Sequence, residues 1–125
     1  MSDENNKPID DQPINPNSVA REFALRFIYH FQLDYFSKDQ TRVEVNTNEL
    51  VLKINNFKET IDLNVSEGAM SFCQTLILGV ATNIEELGTI IENHLENWRL
   101  NRLHSVDLTI LYLATYEILF YKKTT

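Results

Sequence analysis

The sequence is poor in cysteine, glycine and proline, and each shortage excludes a class of protein. The single cysteine, Cys73, cannot form an intrachain disulfide, and its place in the apolar run SFCQTLILGV indicates a small buried core residue. Without a glycine-rich run, the chain has no phosphate-binding loop. No apolar run approaches the roughly 20 residues of a membrane span, and the N-terminus lacks the apolar core of a signal peptide. We therefore expect a soluble, cytoplasmic protein that does not enter a membrane.

Positive charge is also scarce, since 18 acidic and 11 basic side chains give a formal net charge of -7. This charge repels phosphate at long range and argues against avid, non-specific binding of nucleic acid. Any RNA contact has to be local.

Residues that could bind a metal ion or act in catalysis are sparse as well. Three histidines and one cysteine lack the ligand spacing of a zinc site, so we expect no metal and no cofactor. Ser105, His104 and Asp107 are close in sequence, but neighbours at a helix start do not supply the geometry of a nucleophile, a base and an orienting group. The sequence therefore predicts that the protein is not an enzyme.

All three prolines lie in the first sixteen residues, amid Asp, Asn and Gln. Residues 1–16 are therefore predicted to be a disordered acidic tail, and residues 17–125 to form one folded domain. Beyond the tail, apolar residues recur at helical spacing, which predicts an all-α fold of about five helices. The predicted N-caps are Asn17 or Ser18, Ser66, Thr82 in a T-x-x-E capping box with Glu85, and Ser105.

Each predicted helix has an inward face. The second is predicted to bury Leu50, Ile54, Phe57 and Ile61; the third, Met70, Cys73, Leu76, Ile77 and Val80. The fourth carries a stripe of Ile84, Leu87, Ile91, Leu95 and Trp98, and the last a core seam of Val106, Ile110, Leu113, Ala114 and Ile118.

Three segments occur in order: AREFALRFIYHFQL, FCQTLILGVATNIEEL and WRLNRLHSVDLTILYLATYEI. They resemble motifs of the NusB family of transcription antitermination factors. The first resembles that family's A-R-E-x-A-L-x-x-L-Y opening, and the second its F-x-x-x-L-x-x-G-V-x-x-N segment. WRLNRLHSVDLTILYLATYEI is similar to its W-x-L-x-R-L-x-x-V-D-x-x-I-L-R-x-A-x-Y-E signature. The resemblance covers about residues 18 to 121.

The resemblance implies a non-enzymatic, RNA-binding helical domain built as two small packed bundles, the second incomplete here. It implies pairing with NusE, a protein of the small ribosomal subunit, and binding of boxA-type RNA. In that role the family joins the transcription elongation complex and supports transcription of ribosomal RNA operons.

The same resemblance assigns candidate site residues. Arg21, Asn83 and His94 match RNA-facing positions, and Tyr29, Leu33 and Asp107 match positions near the partner. Each has a structural alternative: Arg21 and Glu22 also suit an exposed ion pair, Tyr29 and Leu33 suit core packing, and Asp107 suits the positive end of a helix. Asn83 suits an interhelical turn, and His94 a solvated helix face.

Two departures from the family pattern keep a second hypothesis open. The arginine cluster that usually precedes the A-R-E triplet is replaced by NPNSV, and the family's last two helices have no counterpart after Tyr116 and Glu117. Fewer cations predict weaker binding of RNA. The alternative function is a NusB-like protein-interaction module that has lost RNA binding and acts by protein contacts or as a homodimer. An apolar face on the helix from Val106 to Tyr121 is expected to be exposed and to favour self-association.

Overall fold

The computed structural model describes residues 16–32, 36, 46–95 and 103–121. These residues contain five helices and no strand, which confirms the all-α prediction. The helices are α1 (Pro16–His30), α2 (Thr47–Thr60), α3 (Glu67–Thr82), α4 (Ile84–Asn93) and α5 (Ser105–Leu119). Leu33, Trp98 and all of the predicted tail except Pro16 lie outside the described residues. None of the helices described is long and apolar enough to cross a membrane.

Helix α3 lies at the centre and contacts each of the other four helices. Its predicted N-cap, Ser66, is confirmed, because the Ser66 hydroxyl accepts a hydrogen bond of 3.2 Å from the backbone N–H of Ala69. All five side chains of its predicted inward face are buried, namely Met70, Cys73, Leu76, Ile77 and Val80. The regular helical spacing of these residues thus places them in the core.

Aromatic rings fill the space between α1 and α2. The Phe57 ring meets the rings of Phe23 and Phe27 edge to face, at centroid distances of 5.6 Å and 5.4 Å. This geometry is favoured because the positive edge of one ring points at the negative face of the other. Leu50 and Ile54 complete the buried face of α2, as predicted.

Helices α3 and α5 approach closely at Gly79. A Cβ atom built on Gly79 would lie 2.0 Å from Cζ of Tyr116, so only glycine leaves room for this ring. Gly79 therefore sets the spacing between the two helices.

Three predicted helix caps are wrong. Helix α1 begins at Pro16, so Asn17 and Ser18 lie inside it, and proline is well suited to a first helical position. Helix α3 continues through Thr82, whose hydroxyl donates back to the Leu78 carbonyl at 2.9 Å and does not cap α4. Ser105 is the first residue of α5 and follows the cap position, which His104 occupies without a side-chain hydrogen bond.

The predicted core seam of α5 is also wrong, except at Leu113. Val106, Ile110 and Ile118 are 50%, 45% and 67% exposed, and Ala114 is exposed too. The face that packs inward carries Thr109, Tyr112, Leu113 and Tyr116. Apolar residues surround most of α5, so their spacing alone does not select the buried face.

Candidate functional site

Arg21 and Glu117 form an ion pair between the first half of α1 and the end of α5. Arg21 Nε lies 2.8 Å and 3.0 Å from the two carboxylate oxygens of Glu117, and one terminal guanidinium nitrogen lies 2.7 Å from Oε2. The hydrogen bonds to Glu117 raise the pKa of Arg21, against the opposing effect of burial. The guanidinium carbon also lies 5.5 Å from the centroid of the Phe72 ring. Arg21 thereby joins α1, α3 and α5.

The alternative pairing of Arg21 with Glu22 is wrong, because Glu22 contacts Arg26 at 2.5 Å one turn further along α1. Both arginines of α1 therefore have a carboxylate partner. This pairing reduces the net positive charge that α1 can offer to an RNA phosphate.

Gln32 links the other end of α1 to the start of α5. Its Nε2 donates to the backbone oxygen of Ser105 at 3.2 Å and to the hydroxyl of Thr109 at 3.1 Å. Thr109 is fully buried and in turn donates to the Ser105 oxygen at 2.8 Å. With Arg21 contacting Glu117 at the opposite end, these bonds show that α1 and α5 run antiparallel.

Four exposed side chains lie within one helical turn, along the chain, of the residues of the Gln32 link, and we call them the α1–α5 face: Tyr29, Val106, Asp107 and Ile110. Tyr29 precedes Gln32 by about one helical turn and is 51% exposed. Asp107 is exposed in the first turn of α5, where its charge also suits the positive end of the helix. The face thus combines an aromatic ring, two aliphatic side chains and one acid.

Sequence reasoning missed Val106 and Ile110 as members of this face, because both were assigned to the core seam. Tyr29 and Asp107 were predicted to lie near a partner, and the Gln32 link holds their two helices together. Leu33, the third residue predicted for the partner, lies outside the described part of the chain. A core role for Tyr29 is excluded by its exposure.

The three residues predicted to face RNA lie at separate places. Arg21 contacts Phe72 in the first half of α3, whereas Asn83 ends that helix, about 16 Å further along the helix axis at 1.5 Å per residue. The Asn83 amide nitrogen donates to the Gly79 carbonyl at 2.7 Å, which fixes the side chain at the α3–α4 junction. His94 lies beyond the end of α4.

His94 is exposed, and its Nδ1 lies 2.8 Å from the Ile90 carbonyl oxygen. A carbonyl only accepts hydrogen bonds, so Nδ1 carries the proton and Nε2 is the acceptor in the neutral ring. The ring borders an apolar cavity of about 380 Å³, which we call the α4–α5 groove. Its lining also includes Ile90, Ile91, Leu95, Leu111, Ile118 and Leu119. The expected exposed apolar surface on α5 is therefore confirmed.

Among the described residues, no three His, Cys, Asp or Glu side chains gather in a group that could hold a metal ion. Cys73 is buried, and burial raises the pKa of its thiol to about 12, partly opposed by the charge of Lys58. A buried neutral thiol is a poor nucleophile. Cys73 therefore acts as a core residue.

Comparison with known proteins identifies a family. Residues 18–125 match the model of the NusB family. The chain is 37% identical over 101 residues to the transcription antitermination protein NusB of Clostridium novyi, covering 81% of this chain and 67% of that protein. It is 32% identical over 102 residues to the protein of the same name from Clostridium perfringens, covering 81% and 66%.

Listeria innocua has a further relative of that name, 34% identical over 99 residues, with 79% and 62% of the two chains covered. The matched part of the chain spans about two thirds of the length of these relatives. No solved structure matches the chain. The family match over residues 18–125, together with the three ordered motifs, shows that this chain belongs to the NusB family.

Proposed function

We propose that this protein is a transcription antitermination factor that pairs with NusE and binds boxA-type RNA, supporting transcription of ribosomal RNA operons. Membership of the NusB family and the names of the relatives support the first part. The α1–α5 face supports the second, because it exposes Tyr29 and Asp107 from two of the family motifs. In this proposal NusE contacts that face and the RNA contacts Arg21, Asn83 and His94.

The observation that carries the proposal is the Gln32 link. Exposed aromatic and aliphatic side chains are typical of the centre of a protein interface, and Tyr is enriched there. Gln32 and buried Thr109 hold the two contributing helices in one arrangement before any partner binds. A preformed face loses less conformational entropy on binding.

Calorimetric titration with NusE tests the role of the face. We expect Tyr29→Ala to weaken binding at least tenfold, because an interface tyrosine commonly contributes more than about 1.4 kcal/mol. Asp107→Asn, which keeps the shape and removes the charge, should reduce the association rate more than it raises the dissociation rate. Leu52→Ala is the matched control, because Leu52 is an apolar residue, 63% exposed, on α2, a helix that contributes no residue to the face.

Unchanged NusE affinity in Tyr29→Ala, with the control also unchanged, would exclude this face as the NusE site. A wild-type protein that does not bind NusE would refute the pairing itself.

The second candidate function is a protein-interaction module without RNA binding, acting through partners or as a homodimer. Two observations favour it: Arg21 and Arg26 are both paired with carboxylates, and the α4–α5 groove leaves apolar side chains open to solvent. Light scattering over a range of concentrations tests the homodimer. Wild type should then self-associate, and Ile118→Glu, which places a charge in the groove, should be monomeric.

A further inference from the structure

Three aromatic rings form a column at the end of α5, and we call Tyr116, Phe120 and Tyr121 the aromatic column. The rings of Tyr116 and Phe120 are stacked, with an interplanar angle of 9° and a centroid distance of 5.8 Å. Tyr116 and Tyr121 are also stacked, at 10° and 6.4 Å. The three ring planes are therefore nearly parallel.

The backbone and the core fix the column in place. The backbone N–H groups of Phe120 and Tyr121 both donate to the Tyr116 carbonyl, at 2.9 Å and 3.0 Å. The Tyr116 ring lies against Gly79, and the Tyr121 ring packs on Phe72 at a centroid distance of 5.5 Å. The rings are thus ordered in advance, and a ligand would not have to order them.

Phe120 is the exposed member of the column. It is 38% exposed, whereas Tyr116 is buried and Tyr121 is half-buried. Within the part of the chain that the structure describes, Tyr116 is the ring on which Phe120 stacks. Phe120 is thus the ring of the three that is exposed enough to contact a further flat, aromatic group.

Positive charge lies at the same end of the fold. The Arg21 guanidinium lies over Phe72, the ring on which Tyr121 packs, and the Arg21 side chain is 42% exposed. Proteins bind single-stranded nucleic acid through this combination, in which bases stack on aromatic rings and cations contact the phosphates.

We propose that the aromatic column is a stacking site for an unpaired base of single-stranded RNA, with Phe120 as the contacting ring. The proposal rests on the proposed RNA binding and adds a site outside the predicted set of Arg21, Asn83 and His94. Stacking does not require a highly basic protein, because a base is bound through its flat face. Stacking can therefore contribute affinity beyond that of Arg21, whose charge is paired with Glu117.

A boxA-type RNA carrying the fluorescent base 2-aminopurine, placed at each position in turn, tests the site in the presence of NusE. Stacking on an aromatic ring quenches this fluorophore, so wild type should quench it strongly at one position. Phe120→Leu keeps an apolar side chain and removes the ring, and should lose this quenching and weaken RNA binding roughly fivefold or more. Phe120→Tyr keeps the ring and should retain both. Leu52→Ala should match wild type.

The outcomes separate this inference from the proposed function. If wild type binds the RNA, and Phe120→Leu binds it equally well with the same quenching, the stacking site is refuted and RNA binding stands. If Phe120→Leu weakens binding of NusE and leaves RNA affinity unchanged, the column contacts protein and the inference is again refuted. A wild type without RNA affinity refutes both. Wild-type quenching and its retention in Phe120→Tyr need no destabilised variant, so a folding defect in Phe120→Leu does not prevent a decision.

Discussion

Arg21 and Glu117 are 96 residues apart in the sequence and are joined by three hydrogen bonds of 2.7 to 3.0 Å. Arg21 belongs to the A-R-E motif and Glu117 to the Y-E motif, so the first and last family motifs of the chain meet in one ion pair. The Glu117 side chain is only 15% exposed, whereas that of Arg21 is 42% exposed. The pair therefore joins α1 to α5 and still leaves part of the Arg21 guanidinium accessible to solvent.

Removing the charge of Glu117 should destabilise the fold. We expect Glu117→Gln to lower the free energy of unfolding by about 1–2 kcal/mol, because it weakens hydrogen bonds to a charged, partly buried group. Glu22→Gln is the matched control: it breaks an exposed pair within α1 and should cost less than about 0.5 kcal/mol. Urea unfolding measures both. Equal losses in the two variants would contradict a special role for the Arg21–Glu117 pair.

Two glycines of α3 should respond in opposite directions to substitution by alanine. Gly79→Ala should destabilise the protein by about 1–3 kcal/mol, because the new methyl group overlaps the Tyr116 ring. That ring cannot simply swing away, since it is buried and contacts the rings of Phe120 and Tyr121. Gly68 has nothing within 4 Å of the same position, so Gly68→Ala should stabilise the helix by about 0.5 kcal/mol.

Thermal unfolding followed by circular dichroism compares these two variants. A Gly79→Ala protein as stable as Gly68→Ala would show that α3 and α5 do not approach as closely as described.

The hydroxyl of Thr109 should contribute to the stability of the fold, and Thr109→Val, which keeps the shape of the side chain, tests this contribution. Thr109→Val removes one acceptor of Gln32 within the α1–α5 link and should cost about 1 kcal/mol of stability. Thr75→Val is the control, because Thr75 makes the same kind of backbone bond, to Ser71, at an exposed position of α3. It should be close to neutral. If the link preforms the partner face, Thr109→Val should also weaken NusE binding, and Thr75→Val should not.

The buried thiol of Cys73 should make the free energy of unfolding depend on pH. Burial raises the pKa of its thiol from 9.0 to about 12 in the folded state. The folded chain therefore holds this proton more tightly than the unfolded chain, and the resulting stabilisation is present below about pH 9 and lost as the pH rises towards 12. Above pH 9, the stability of the wild type should fall more steeply with pH than the stability of Cys73→Ala, which has no thiol to ionise. Parallel pH profiles from urea unfolding would contradict the burial of the thiol.

The sequence predicts the buried face of a helix where the apolar residues recur on one side of that helix only. All five residues predicted for the inward face of α3 are buried, whereas Ala69 and Ala81, which are buried as well, were not predicted. The seam of α5 was mispredicted, since Val106, Ile110 and Ile118 obey helical spacing as well as the buried residues do. Which face packs inward is decided by Gly79, which makes room for Tyr116, and this is a tertiary contact.

In the candidate site, too, the sequence predicts residues that belong to motifs and does not predict tertiary contacts. Tyr29, Asp107 and Arg21 could be selected because motifs carry them, whereas Glu117 as the partner of Arg21 could not be inferred from local spacing. The Gln32–Thr109 bond joins residues 77 positions apart, and nothing in their neighbourhoods indicates the pairing. The aromatic column likewise depends on how the end of α5 meets α3.

We propose that this NusB-family chain binds boxA-type RNA together with NusE. Titration of fluorescent boxA-type RNA with the protein, at two salt concentrations and with and without NusE, tests this proposal. We expect binding that NusE strengthens, with a shallow salt dependence because few cations contact phosphate. Absence of salt-dependent RNA affinity, even with NusE bound, would contradict it and leave the protein-interaction module as the function.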